Sequence, residues 1–69
     1  MVTFGQRLKE LRLQNNVLQK DLATEMSISP RALKYYEADE REPNLKVIRF
    51  VCQRFNVSAD YLLGLSDKK

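Results

Sequence analysis

An all-α domain of five short helices follows from three features of this 69-residue chain. Apolar residues recur at helical spacing throughout, and no stretch of five or more residues alternates strictly between apolar and polar. Helix-start residues precede four of the apolar faces: Thr3, Ser29, Asn44 and Ser58. The chain is also short enough for one domain only, and a domain of this size buries about 60% of its unfolded surface.

The elements are justified in order. Thr3-Phe4-Gly5-Gln6 fits a capping box, with Phe4, Leu8 and Leu11 following on one face. Asn15-Asn16 ends this first helix, because Asn tolerates the left-handed conformation. A second helix runs from Gln19 to Met26, with Leu22, Ala23 and Met26 on its apolar side and Asp21 in its first turn. Ser27-Ile28-Ser29 breaks the chain. Ser29 then caps a third helix that begins at Pro30 and reaches about Ala38. Residues 37–44 form a polar connection closed by Pro43. Asn44 caps a fourth helix, Leu45 to about Phe55, whose expected buried stripe is Leu45, Ile48, Val51, Cys52 and Phe55. Ser58 caps a fifth, Ala59 to Leu63, with Gly64 at its C-terminal end. Residues 1–65 are expected to form the domain and residues 66–69 a frayed tail.

Composition excludes several classes of function. The chain has no His and one Cys, so an intrachain disulfide, a multi-cysteine zinc site and histidine acid–base chemistry are all absent. No metal and no cofactor is expected, and no enzyme activity. No apolar run exceeds three residues, so no membrane span is expected. No leader pattern is visible, and a reducing cytoplasm is the expected compartment. The net charge is +3. Residues 1–36 hold six basic and three acidic side chains, while residues 37–69 hold six of each. The excess therefore lies in the first half, where it suits an anionic partner.

Residues 19–38 carry the functional signal. Two short helices joined by a turn of about three residues make helix-turn-helix geometry. On the second of them Ala32, Leu33 and Tyr36 share the inward side. Arg31, Lys34, Tyr35 and Ala38 share the outward side, at i, i+3, i+4 and i+7, with no acid among them. An isolated Arg-Lys pair on a helix is more often a solvated face. The Ser-Pro entry and the preceding turn give this pair a context that suits insertion into the DNA major groove, where Arg can offer its fork to guanine O6 and N7.

These residues, with the segments around them, resemble the phage-repressor (Cro/XRE) type of helix-turn-helix DNA-binding domain, a lambda repressor-like five-helix bundle. The resemblance runs from Phe4 to Gly64. It is carried by Phe4-Gly5-Gln6-Arg7-Leu8-Lys9-Glu10-Leu11-Arg12, Gln19-Lys20-Asp21-Leu22-Ala23, Ser29-Pro30-Arg31-Ala32-Leu33-Lys34-Tyr35-Tyr36-Glu37, Arg41-Glu42-Pro43-Asn44-Leu45 and Asn56-Val57-Ser58-Ala59-Asp60-Tyr61-Leu62-Leu63-Gly64. It implies that Pro30, Arg31, Lys34 and Tyr35 face the bases, with Arg31 the main reader. It also implies that Gln19 clamps a phosphate. Lys20, Ser29, Arg41 and Lys46 are expected beside the DNA backbone as well. Arg12 and Glu37 occupy the places of an architectural ion pair.

Three residues depart from the family pattern. Ser27 stands where Gly is usual, at a position of positive φ. Leu18 stands where a capping Ser, Thr or Asn is usual. Asp39 replaces the usual Gly after the recognition helix, and with Glu40 and Glu42 it makes the following loop acidic. Cys52 is expected in the core, with no neighbour to activate its thiol. Ala59 and Leu62 match the family's usual dimer contact. Val47 and Phe50, lying off the expected stripe of the fourth helix, form a second candidate partner or dimer contact.

The reading is a sequence-specific DNA-binding transcriptional regulator, a repressor, which acts as a homodimer on a roughly palindromic double-stranded operator. The second reading is a protein-interaction module on the same fold, such as an antitoxin or adaptor, with Val47, Phe50 and the acidic loop as its contact surface.

Overall fold

The computed structural model describes residues 2–69. Among these residues the chain forms five helices and no strand: α1 (Phe4–Gln14), α2 (Gln19–Glu25), α3 (Pro30–Glu37), α4 (Leu45–Phe55) and α5 (Ala59–Leu62). Helix α3 packs on α1 and α2, while α5 packs on α1 and α4. The centre of the core is Leu8, Leu22, Leu33, Val51 and Leu62, all but inaccessible to solvent. Phe4, Leu11, Ala23, Tyr36, Val47, Val57 and Tyr61 complete it. Phe4 meets Tyr36 edge-on, with ring centroids 6.4 Å apart.

Helix starts follow local chemistry. Thr3 and Gln6 form a reciprocal capping box on α1. Ser29, Asn44 and Ser58 each accept from a backbone N–H of the first turn that follows them. Leu18 at the start of α2 offers no side-chain cap.

Helix ends share one solution. A left-handed residue follows each helix: Asn16, Ser27, Asp39, Asn56 and Gly64. The next N–H then reaches back five residues, from Val17 to Arg12, Ile28 to Ala23, Glu40 to Tyr35, Val57 to Cys52 and Leu65 to Asp60. This bond satisfies a carbonyl that the helix leaves open. Only the last of the five positions is glycine. Ser27, at φ +58°, has the poorest match of residue type to conformation, since Asn and Asp tolerate the left-handed region better.

Asp39 has a second use. Its carboxylate accepts from the Gly5 backbone N–H (2.9 Å) and the Thr3 hydroxyl (2.5 Å), at the start of α1. It thus caps a helix more than thirty positions earlier in the chain, where the helix dipole favours an anion. Gly5 makes the approach possible. A Cβ there would lie 2.6 Å from the carbonyl oxygens of Tyr36 and Glu37.

The structure differs from the sequence expectation in three places. Helix α4 turns Val47 and Val51 into the core, and leaves Leu45 70% exposed. Seven of its eleven residues are apolar, so periodicity permits more than one inward stripe. The helix settles with Val47 inward, and Ile48, Phe50, Cys52 and Phe55 packed at the edges of the core. Helices α2, α3 and α5 end at Glu25, Glu37 and Leu62, each one residue before its expected end. The last residues, expected to fray, fold back on the domain. Asp67 pairs with Arg7 at 3.0 Å, and the Lys69 carbonyl accepts from the Ser58 N–H at 3.0 Å. Arg7 itself is buried, with its guanidinium 3.9 Å from the centroid of the Tyr61 ring.

Relieving the left-handed strain at Ser27 stabilises the domain. Ser27→Gly is expected to add ~0.5–1 kcal/mol, net of the flexibility glycine adds to the unfolded chain. Thermal unfolding followed by circular dichroism then shows a midpoint a few degrees higher, roughly 4–8 °C per kcal/mol at this size. An unchanged or lower midpoint refutes this account of the turn.

Candidate nucleic-acid interface

The α2–α3 unit is held by Leu22 and Ala23 on one helix and Leu33 and Tyr36 on the other, all buried. Burying that side of α3 forces the other side outward. Pro30, Arg31, Lys34 and Ala38 are exposed, and Tyr35 is half-buried. Ser29 accepts from the Ala32 N–H at 3.0 Å, which leaves its hydroxyl hydrogen available as a donor.

The outward side chains are ordered among themselves. Arg31 Nε donates to the Tyr35 hydroxyl at 3.1 Å, one helical turn away. Arg41, from the loop after α3, places its guanidinium 5.2 Å from the Tyr35 ring centroid and 5.9 Å from that of Tyr36. The loop cation expected on the DNA backbone therefore stands against α3.

A shallow depression of about 230 Å³ lies beside α3, lined by Lys9, Gln19, Lys34, Glu37 and Ala38. Gln19 Nε2 donates to Glu37 Oε1 at 3.0 Å, so one of its two amide hydrogens is engaged. Lys9 brings to this depression a cation from α1, outside residues 19–38. It lies at i−3 from Arg12, hence on the same side of α1. The expected pairing of Arg12 with the end of α3 already implied where Lys9 would be.

Glu37 sits at the junction of three helices. Arg12 donates to its carboxylate twice, from Nε at 2.7 Å and Nη2 at 3.2 Å. Arg12 Nη1 donates to the Val17 carbonyl at 3.0 Å. Both charged side chains are nearly inaccessible, at 8% and 5% exposure. Glu37 is thus consumed by structure and presents no free carboxylate to a polyanion.

The other expected residues lie as follows. Lys20 is exposed on α2. Lys46, exposed in the first turn of α4, lines a different hollow of about 330 Å³ with Met26, Ser27, Ile28, Val47 and Phe50. It is not gathered with Lys9, Gln19 and Lys34. Two of the four candidate contact residues for a partner are corrected. Val47 is 8% exposed and Leu62 is fully buried, so neither offers a surface. Leu62 fills the seam that α5 makes with the rest of the core. Ala59 is exposed and Phe50 is half-buried against the core. Burial pushes the Cys52 thiol above its ordinary pKa, which disfavours the reactive thiolate. Among the described residues there is no cluster of His, Cys, Asp or Glu able to hold a metal. None of the described helices is long and apolar enough to cross a membrane.

A compact five-helix domain with an outward basic face on its third helix is the form of a helix-turn-helix DNA-binding domain. The chain belongs to the helix-turn-helix family, whose profile matches residues 8–62. It is 38% identical over 63 residues to the HTH-type transcriptional regulator ImmR of Bacillus subtilis, covering 91% of this chain and 50% of that protein. Its fold is similar to the P22 c2 repressor in complex with a synthetic operator, with a TM-score of 0.85 and 26% identity over 96% of this chain and all of that one. The DNA-binding domain of the same repressor in solution gives a TM-score of 0.81 and 27% identity, covering 99% of this chain and 92% of that one. The chain spans about half the length of the curated relatives it matches.

Removing the Glu37 side chain leaves Arg12 buried with its principal partner gone. Glu37→Ala is expected to cost ~3–5 kcal/mol, the range for breaking one side of a buried pair. That is a large fraction of the stability of a domain this small, roughly 3–10 kcal/mol. Urea unfolding measures it directly, and a loss below about 1 kcal/mol, the range of an exposed pair, contradicts the assignment.

Proposed function

We propose that this protein is a sequence-specific DNA-binding regulator of transcription, acting as a repressor in the cytoplasm. The observation that carries the proposal is the exposed face of α3. Arg31, Lys34 and half-buried Tyr35 project from a helix anchored by Leu33 and Tyr36, and no acidic side chain shares that face. Arg31 reads a guanine in the major groove, and Pro30, Lys34 and Tyr35 line the same contact. Lys9, Gln19, Lys20, Ser29, Arg41 and Lys46 hold phosphates and set the register. The likeness to a repressor bound to its operator supports this reading.

The protein acts as a homodimer on an inverted repeat, with half-sites one helical turn, ~34 Å, apart. Ala59, Leu63 and Leu65 are each exposed in or just after α5, Leu65 to 75%, and this region is proposed to meet its counterpart.

Binding-site selection from random duplex DNA at near-physiological salt tests the proposal. An enriched inverted repeat is the expected result. Arg31→Ala is expected to cost ~1–3 kcal/mol of specific binding and relax preference at one base pair per half-site. Lys20→Ala weakens all sequences alike and lowers the salt slope by about one. A folded protein that enriches no sequence, and whose activity is lost on Phe50→Ser but not on Arg31→Ala, is instead an interaction module of the antitoxin or adaptor kind.

A further inference from the structure

We infer that Tyr35 is a positioning residue for Arg31 rather than an independent reader of a base, and that it sets the guanine specificity of each half-site. This inference rests on the DNA-reading assignment above. An arginine on an exposed helix face samples many rotamers, and holding it in one geometry costs side-chain entropy at the moment of binding. Here that cost is partly met before binding. The Tyr35 hydroxyl accepts from Arg31 Nε at 3.1 Å. With Nε engaged, the Nη1 and Nη2 groups remain as the donor pair, and a guanidinium presenting two parallel N–H groups matches the O6 and N7 acceptors of guanine.

Tyr35 is itself held. Its ring is half-buried, and the Arg41 guanidinium lies 5.2 Å from its centroid, within cation–π range. The neighbouring Tyr36 ring, buried in the core, receives the same guanidinium at 5.9 Å. Arg41 thus braces the tyrosine from the loop, and the tyrosine orients the reading arginine from the helix. An adenine presents a donor where guanine presents O6, so a fixed pair of N–H donors rejects it. A freely rotating arginine discriminates less, because it can turn to a phosphate instead.

The experiment uses the duplex enriched from a random library and its single-base variants, in competition against the full chain. Tyr35→Phe keeps the ring and its contact with Arg41 but removes the hydroxyl acceptor. It is expected to lower discrimination at the base pair read by Arg31 by about 3- to 10-fold, the value of one such hydrogen bond. The melting temperature stays unchanged, because the ring keeps its packing and its contact with Arg41. Arg31→Ala removes discrimination at that base pair, and adding Tyr35→Phe to it produces no further change there. Discrimination in Tyr35→Phe equal to that of the unaltered protein overturns the inference. So does a Tyr35→Phe effect that falls on a different base pair and persists in the Arg31→Ala background, which makes Tyr35 a base reader in its own right. An unaltered protein that enriches no sequence overturns this inference and the DNA-reading assignment together. Selection that is retained while Tyr35→Phe has no effect overturns this one alone.

Discussion

The carboxylate of Glu37 is the point at which α1, α2 and α3 are tied together. Arg12 reaches it from α1, Gln19 reaches it from α2, and Glu37 itself ends α3. Taking a carboxylate and a guanidinium out of water is costly, and the cost is recovered only when geometry and hydrogen bonding are both good. Here the arginine is engaged through all three of its nitrogens, the third on the Val17 carbonyl. A pair of this kind adds little net stability compared with a well-packed apolar alternative. What it does is penalise every arrangement in which the three helices shift relative to one another. The angle at which α3 presents Arg31, Lys34 and Tyr35 depends on that penalty.

Helix termini impose the second constraint. Helices of four to eleven residues leave a large share of their backbone groups without intrahelical partners. The chain closes all five C-terminal ends with a left-handed residue and a five-residue return bond. These tight reversals keep connections short, so the small core can be shared by every helix. They also concentrate backbone strain at Ser27, in the turn that joins α2 to α3. The turn that aims α3 is therefore the least relaxed of the five. Asp39 shows the opposite adjustment, since its carboxylate is used to cap α1 while its backbone closes α3.

Electrostatics follow from how acids are employed. Glu37 is buried against Arg12, Glu25 pairs with Arg54 at 2.6 Å, and Asp39 is turned to the start of α1. Three of the acids near the α2–α3 unit are thus engaged within the fold, while Asp21 stays exposed on α2 and Lys9, Lys20, Arg31 and Lys34 remain exposed as well. A net charge of only +3 can in this way leave the outward face of α3 with cations and no acid. The loop after α3 is less acidic toward a partner than its composition suggests, because Asp39 is occupied elsewhere.

Helix positions, four of the caps and the outward face of α3 were legible because they depend on neighbours within four residues. Thr3, Ser29, Asn44 and Ser58 announce their helices by short-range hydrogen bonding, and Arg31, Lys34 and Tyr35 share a face through the 3.6-residue period alone. The pairing of Arg12 with Glu37 was legible only through family resemblance. The inward stripe of α4 is not fixed by periodicity, since a helix with apolar residues on most of its circumference is oriented by what it packs against. Val47 and Leu62 looked available in one dimension and are closed off in three. The capping of α1 by Asp39, the placement of Lys9 beside Gln19 and Lys34, and the bracing of Tyr35 by Arg41 join residues from different elements. No local spacing encodes such contacts, because they arise from the relative placement of helices, which long-range burial and the desolvated Glu37 site impose.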